Sequence, residues 1–166
     1  MSDFLLSQIL AAIAFACGLI SFQCEQRRSI LLWMCGSAFV NACHFFILGR
    51  PGPGTLYIIM AARIATAVFS TDRRLMYVFL ILILVGFSAS YQRPLDILAM
   101  GGASLATYGN FQASVRRVRL IYMACAAVWI IHNALAGSPV AVVMEVSFLA
   151  SNMIGYRRYY RTEVSV

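Results

Sequence analysis

Two histidines lie inside otherwise apolar stretches of this 166-residue chain, as do Asn41, Asn133 and Asn152, and their chemistry suits the binding of a small polar molecule. Amide groups donate to and accept from hydroxyl or amide groups, and an imidazole changes its charge between about pH 5 and 8. A tryptophan one helical turn from one of the histidines adds an apolar platform. We therefore expect reversible recognition of a solute, and the candidate binding residues are Asn41, His44, Trp129, His132, Asn133 and Asn152.

Two charged residues lie well inside the apolar stretches, away from their ends: Arg63 and Glu145. A charged side chain in a bilayer costs roughly 2.5 to 3.5 kcal/mol on insertion scales, so each is expected to have a partner or a function. An Arg63–Glu145 ion pair is the simplest prediction. Alternatively, Arg63 attracts an anionic substrate and Glu145 couples transport to protons.

A metal centre and an enzyme active site are both disfavoured by the sequence. No two His or Cys residues follow each other at a spacing of three or four on one helix, which is the usual ligand pattern. There is also no glycine-rich phosphate loop, nucleophile elbow or cluster of carboxylates. We expect no catalytic activity, no bound metal and no cofactor.

The helices that carry these residues are predicted to span a membrane. Hydrophobic residues make up 61% of the chain, charged residues 11%, and the mean hydropathy is +0.80. Such a composition leaves too little polar surface for a soluble globule. A span needs about 20 apolar residues to cross roughly 30 Å of hydrocarbon. Seven segments approach this length: Phe4 to Phe22, Ser29 to Leu48, Thr55 to Ser70, Leu75 to Ser90, Leu95 to Phe111, Arg119 to Ala136 and Val140 to Tyr156.

The arginines are unevenly distributed between the two sides that seven spans define. Only Arg50 and Arg93 lie in the connections on one side. Positive residues accumulate in cytoplasmic loops, so the N-terminus is predicted outside and the C-terminus in the cytoplasm. This topology signal explains the net charge of +7, and no nucleic-acid partner is expected. The arginines on the predicted cytoplasmic side are Arg27, Arg28, Arg73, Arg74, Arg116, Arg117, Arg119, Arg157, Arg158 and Arg161.

The chain contains an internal repeat. Shifts of 89, 88 and then 84 residues align three helices of the first half, in order, with three of the second. Polar landmarks carry the alignment, because apolar helices resemble one another by composition alone. The aligned landmarks are Gln23 with Gln112, Arg27-Arg28 with Arg116-Arg117, His44 with His132, Gly49 with Gly137, Pro51 with Pro139, and Arg73-Arg74 with Arg157-Arg158.

The predicted fold is therefore an all-α membrane protein with a 3+1+3 arrangement. Residues 4–74 form the first three-helix repeat, residues 75–90 a linker helix, and residues 95–160 the second repeat. A single linker span makes the second triplet enter the bilayer in the same direction as the first, so the repeats are parallel.

The sequence resembles two known groups of membrane proteins. The segments Gln23 to Arg28, His44 to Gly49, Ile130 to Asn133 and Gly155 to Tyr159 are similar to the YgjV family of bacterial inner-membrane proteins. The 3+1+3 arrangement resembles the SWEET and PQ-loop group of sugar, vitamin and amino-acid carriers. The Pro-Gln pair of that group appears here as Phe-Gln in both repeats, so its proline hinge is not reproduced. The first resemblance implies a multi-pass protein of the bacterial inner membrane.

These observations predict a carrier of a small polar solute that works by alternating access of the two triplets. Its expected partners are the lipid bilayer and the solute. A homo-oligomer is compatible with the sequence, but nothing in it indicates one. Two alternatives stay open: a non-transporting membrane scaffold or sensor, and a protein that handles metal ions through His44 and His132.

Overall fold

The computed structural model describes residues 2–160, which form seven α-helices and, within that range, no β-strand. The prediction of an all-α protein is confirmed. Arg161, counted above among the cytoplasmic arginines, lies outside the described residues. The helices are α1 (Asp3–Ser21), α2 (Arg27–Ile47), α3 (Pro51–Phe69), α4 (Arg73–Ser90), α5 (Leu95–Asn110), α6 (Val115–Leu135) and α7 (Pro139–Tyr160).

Six of the described helices are long and apolar enough, by length and composition, to cross a membrane: α1, α2, α3, α4, α6 and α7. The exception is α5, which has 16 residues. At 1.5 Å per residue it extends about 24 Å, which is less than the hydrocarbon thickness of about 30 Å. A seventh span therefore stays a prediction.

Six of the described helices begin earlier than the hydrophobic pattern predicts, α3 and α6 by four residues and the other four by one or two, whereas α5 begins at Leu95 as predicted. Helices α3 and α7 start at Pro51 and Pro139. Proline suits the first position of a helix, where a backbone N–H has no partner within the helix. Helix α6 starts at Val115 instead of Arg119, so Arg119 lies more than one turn inside it.

Helices α2 and α6 end in the same way. Gly49 and Gly137 have φ angles of 71° and 70°, which is the left-handed conformation that glycine adopts without a steric penalty. After α2, the N–H of Arg50 donates to the carbonyl of Phe45 and the N–H of Gly49 to that of Phe46. The corresponding two bonds follow α6, from Ser138 to Asn133 and from Gly137 to Ala134. Each set is a Schellman cap, which turns the chain sharply into the proline that starts the next helix.

The chain divides into two compact units, with the boundary between Phe69 and Ser70. In the first unit, α2 packs against both α1 and α3. Small buried residues, among them Ala14, Ala38 and Ala42, let the backbones of α1 and α2 approach closely. In the second unit, α6 packs against both α5 and α7, and α4 packs against α5.

Candidate functional site

The second unit brings together three of the predicted binding residues on α6. The rings of Trp129 and His132 lie 5.1 Å apart at an interplanar angle of 76°, an edge-to-face contact. The Nδ1 atom of His132 lies 3.1 Å from Oδ1 of Asn133, so a protonated Nδ1 donates to the amide oxygen. All three side chains are half-buried. This arrangement, which we call the Trp-His-Asn cluster, presents an indole, an imidazole and an amide from one helix end.

The position of Trp129 depends on a glycine of α5. A Cβ atom added to Gly102 would lie 2.7 Å from Nε1 of Trp129, so the indole occupies the space that a side chain would fill. The Cys125 thiol donates to the Gly102 carbonyl at 3.3 Å, which holds the same part of α5 against α6. Gly102 is not among the site residues predicted from the sequence. The feature that could have indicated it is the pair Gly101-Gly102 inside a helix, where glycine is intrinsically unfavourable.

The first unit holds His44 in a different environment. His44 is buried, and its Nδ1 atom lies 2.7 Å from the carbonyl oxygen of Ser7 on α1. A carbonyl oxygen can only accept, so Nδ1 carries the proton and donates. His44 therefore joins α2 to α1, whereas its repeat counterpart His132 bonds its own sequence neighbour.

Asn41, one turn before His44, is half-buried. Its amide makes no side-chain hydrogen bond within residues 2–160. The 88-residue shift aligns it with Trp129 of the second unit.

A related bond joins the first two helices of each triplet. The Ser37 hydroxyl donates to the carbonyl of Ala14 at 2.7 Å, 23 residues earlier. The Cys125 thiol donates to Gly102, also 23 residues earlier. Ser37 and Cys125 are aligned by the 88-residue shift, so equivalent positions make equivalent contacts inside the two units.

Asn152 lies on α7 and makes two hydrogen bonds with Arg119 of α6. Its Oδ1 atom accepts from Nη1 of Arg119 at 3.3 Å, and its Nδ2 group donates to the Arg119 carbonyl at 2.8 Å. Both residues are buried, with exposed fractions of 1% and 0%. The Arg119 guanidinium also lies over the Tyr159 ring, 5.5 Å from its centre. The topology prediction counts Arg119 among the cytoplasmic arginines, whereas the structure buries its side chain between α6 and α7.

The two intramembrane charges belong to different units. Arg63 is buried on α3, with 8% of its surface exposed. Glu145 is half-buried on α7. Their ion pair stays a prediction.

Within residues 2–160, no group of three or more His, Cys, Asp or Glu side chains is placed to hold a metal ion. All five cysteines are free thiols.

Comparison with known proteins identifies the family of the chain and a named relative. The model of a family described as "Bacterial inner membrane protein" (Imp-YgjV) matches residues 5–163. The inner membrane protein YgjV of Escherichia coli (strain K12) is 26% identical over 163 residues, which cover 98% of this chain and 89% of that protein. No solved structure matches the chain at a significant level.

Proposed function

The chain belongs to the YgjV family of bacterial inner membrane proteins, and we propose that it is a carrier of a small polar solute. The predicted resemblance to the YgjV family is confirmed, and so is the prediction of a multi-pass protein of the bacterial inner membrane. The proposal extends this to alternating access by two parallel three-helix bundles in a SWEET-like 3+1+3 arrangement. It includes seven spans, an external N-terminus, a cytoplasmic C-terminus and no catalytic activity.

The Trp-His-Asn cluster is the main observation that supports solute binding. Its indole, imidazole and amide are oriented by mutual contacts of 5.1 and 3.1 Å. Because Asn133 accepts from His132 through Oδ1, its NH₂ group stays available to donate to a solute. Pre-oriented polar groups beside an aromatic face are typical of small-molecule sites, which combine an apolar lining with a few fixed hydrogen-bonding groups.

The first unit supports the same proposal through Asn41. Its amide is half-buried and without a side-chain hydrogen bond in the described part of the chain. A polar group in an apolar helix is costly when it has no hydrogen-bond partner, so a solute or water is the expected partner.

A scaffold or sensor is the second candidate, and a specific set of contacts favours it. His44, Ser37 and Asn152 each bond a neighbouring helix. Interhelical bonds of this kind contribute on average about 0.6 kcal/mol to membrane helix association and require no ligand. In that case the Trp-His-Asn cluster also serves only to pack α6.

Uptake by proteoliposomes tests the carrier. We expect the wild-type protein to transport at least one member of a panel of sugars, vitamins and amino acids, and Asn133→Ala to reduce that uptake at least tenfold. Ser88→Ala is the matched control, because the Ser88 hydroxyl donates only within its own helix, to the Leu84 carbonyl at 2.9 Å. Ligand-dependent thermal shifts distinguish the two candidates. No uptake and no thermal shift across the panel would contradict transport of these solutes and favour the scaffold.

A further inference from the structure

Four exposed arginines lie at one end of the α6–α7 pair. Arg116 and Arg117 are in the first turn of α6, and Arg157 and Arg158 are in the last turn of α7. The Arg116 Nε group donates to the Tyr156 hydroxyl at 3.1 Å, so the two helix ends are direct neighbours. We call these four arginines the basic cluster.

Three tyrosines of α7, Tyr156, Tyr159 and Tyr160, lie next to Arg157 and Arg158 of the basic cluster in the sequence. Tyr156 and Tyr160 lie with ring centres 5.2 Å apart on α7, and Tyr159 packs under the Arg119 guanidinium. Residues 111–144 contain no Asp or Glu, and Glu145 lies 12 residues before Arg157. That separation is about 18 Å along the helix axis. The described residues around this helix end therefore present positive charge beside tyrosine rings, with no carboxylate of α6 or α7 nearby.

The equivalent end of the first unit uses its arginines differently. The Nη2 group of Arg27 donates to the Ala67 carbonyl at 2.7 Å, and the Arg28 guanidinium lies 5.5 Å from the centre of the Phe69 ring. Both first-turn arginines of α2 thus contact the C-terminal end of α3. The last turn of α3 carries no basic residue. In the second unit, Arg116 makes the corresponding contact with α7. The side chains of Arg117, Arg157 and Arg158 are exposed.

We propose that the basic cluster binds the phosphate headgroup of an anionic phospholipid of the inner membrane. A guanidinium group matches phosphate oxygens with two parallel N–H donors, and tyrosine rings lie preferentially at the headgroup level of a bilayer. Arginines in the first turn of α6 are disfavoured by the positive end of the helix dipole, so helix stability does not explain their position. A phosphate diester bound there would offset this repulsion.

The topology bias of positive residues explains which side of the membrane the cluster occupies. It does not explain why four arginines and three tyrosines converge on two adjacent helix ends. Basic sites of this composition on the cytoplasmic side of membrane proteins bind anionic headgroups. The inference does not depend on transport, but it rests on the proposed topology, which places these helix ends in the cytoplasm.

Lipid binding by the full-length protein tests the proposal. Detergent-purified protein is titrated with phosphatidylglycerol, cardiolipin and phosphatidylcholine, and binding is followed by native mass spectrometry and by the shift in Tm. We expect both anionic lipids to bind at least tenfold more tightly than phosphatidylcholine. Arg117→Gln/Arg157→Gln should abolish that preference. Arg117→Gln/Arg158→Gln is a second variant that keeps the test available if the first is poorly folded.

The charge-matched control is Arg73→Gln/Arg74→Gln, an exposed pair at the start of α4. It removes the same number of positive charges, two, and should change the lipid preference by less than twofold. Equal binding of anionic and zwitterionic lipid, or an equal loss in the control, would overturn the proposal. Stabilisation by inorganic phosphate at the same concentration as by lipid would also overturn it, because the site would then recognise a free anion.

Discussion

Arg119 and Asn152 hydrogen-bond each other in both directions, through Nη1 to Oδ1 at 3.3 Å and through Nδ2 to the Arg119 carbonyl at 2.8 Å. The 88- and 84-residue shifts align these positions with Leu31 and Val68 of the first unit, where both side chains are also buried. Equivalent positions thus hold an apolar pair in one unit and a polar pair in the other.

This exchange predicts coupled effects on stability. Arg119→Leu and Asn152→Val should each reduce the free energy of unfolding by about 1 to 3 kcal/mol, because each removes a hydrogen bond to a buried charged group. The double variant recreates the apolar pair of the first unit, so its loss should be clearly smaller than the sum of the single losses. Thermal unfolding in detergent measures all three, and additive losses would contradict the interpretation of the two residues as a pair.

The two histidines should differ in their effect on stability although the repeat aligns them. His44→Ala removes the donor to the Ser7 carbonyl and leaves a gap between α2 and α1, so we expect a loss of about 1 to 2 kcal/mol. His132→Ala removes a contact within one helix end and should cost less than half as much. Measurement of Tm for both variants under one detergent condition tests the difference. An equal or larger loss for His132→Ala would mean that its contacts also hold helices together.

Gly102→Ala should displace Trp129. The new Cβ would lie 2.7 Å from Nε1 and 2.9 Å from Cε2 of the indole, which predicts an overpacking cost of about 1 to 3 kcal/mol. Gly101→Ala is the matched control, because its added Cβ meets nothing within 4 Å. We expect it to be neutral or slightly stabilising. Tryptophan fluorescence and Tm should change only in Gly102→Ala, and a change of similar size in both variants would show that glycine flexibility, and not space for the indole, is what α5 requires.

The membrane orientation of α5 can be tested directly. If this 16-residue helix spans the bilayer, reporter fusions in the connection around Arg93 and in the connection before Arg116 will report opposite compartments. The proposed topology also places the N-terminus outside and the C-terminus in the cytoplasm. Reporters that place both ends of α5 on one side would reduce the number of spans to six and make the two triplets antiparallel.

The number of helices and most of their boundaries could be predicted from the sequence, because lipid requires long apolar runs and backbone geometry restricts where they end. Gly49 and Gly137, which the repeat aligns, lie at the two helix caps, and Pro51 and Pro139 lie at the starts of the next helices, because such signals act over four or five residues. The pairs of aligned arginines, histidines, glycines and prolines were likewise local features. The family was recognised from the same short segments.

The packing partner of each polar side chain was decided only by tertiary structure. His44 and His132 are the same residue at aligned positions, yet one bonds the Ser7 carbonyl of another helix and the other bonds its neighbour Asn133. In the sequence, Arg119 could not be distinguished from the arginines at 116 and 117. In the structure, α6 begins at Val115, and the Arg119 side chain bonds Asn152. A hydrogen bond depends on which face of which helix is adjacent, and a spacing within one helix specifies only which residues share a face.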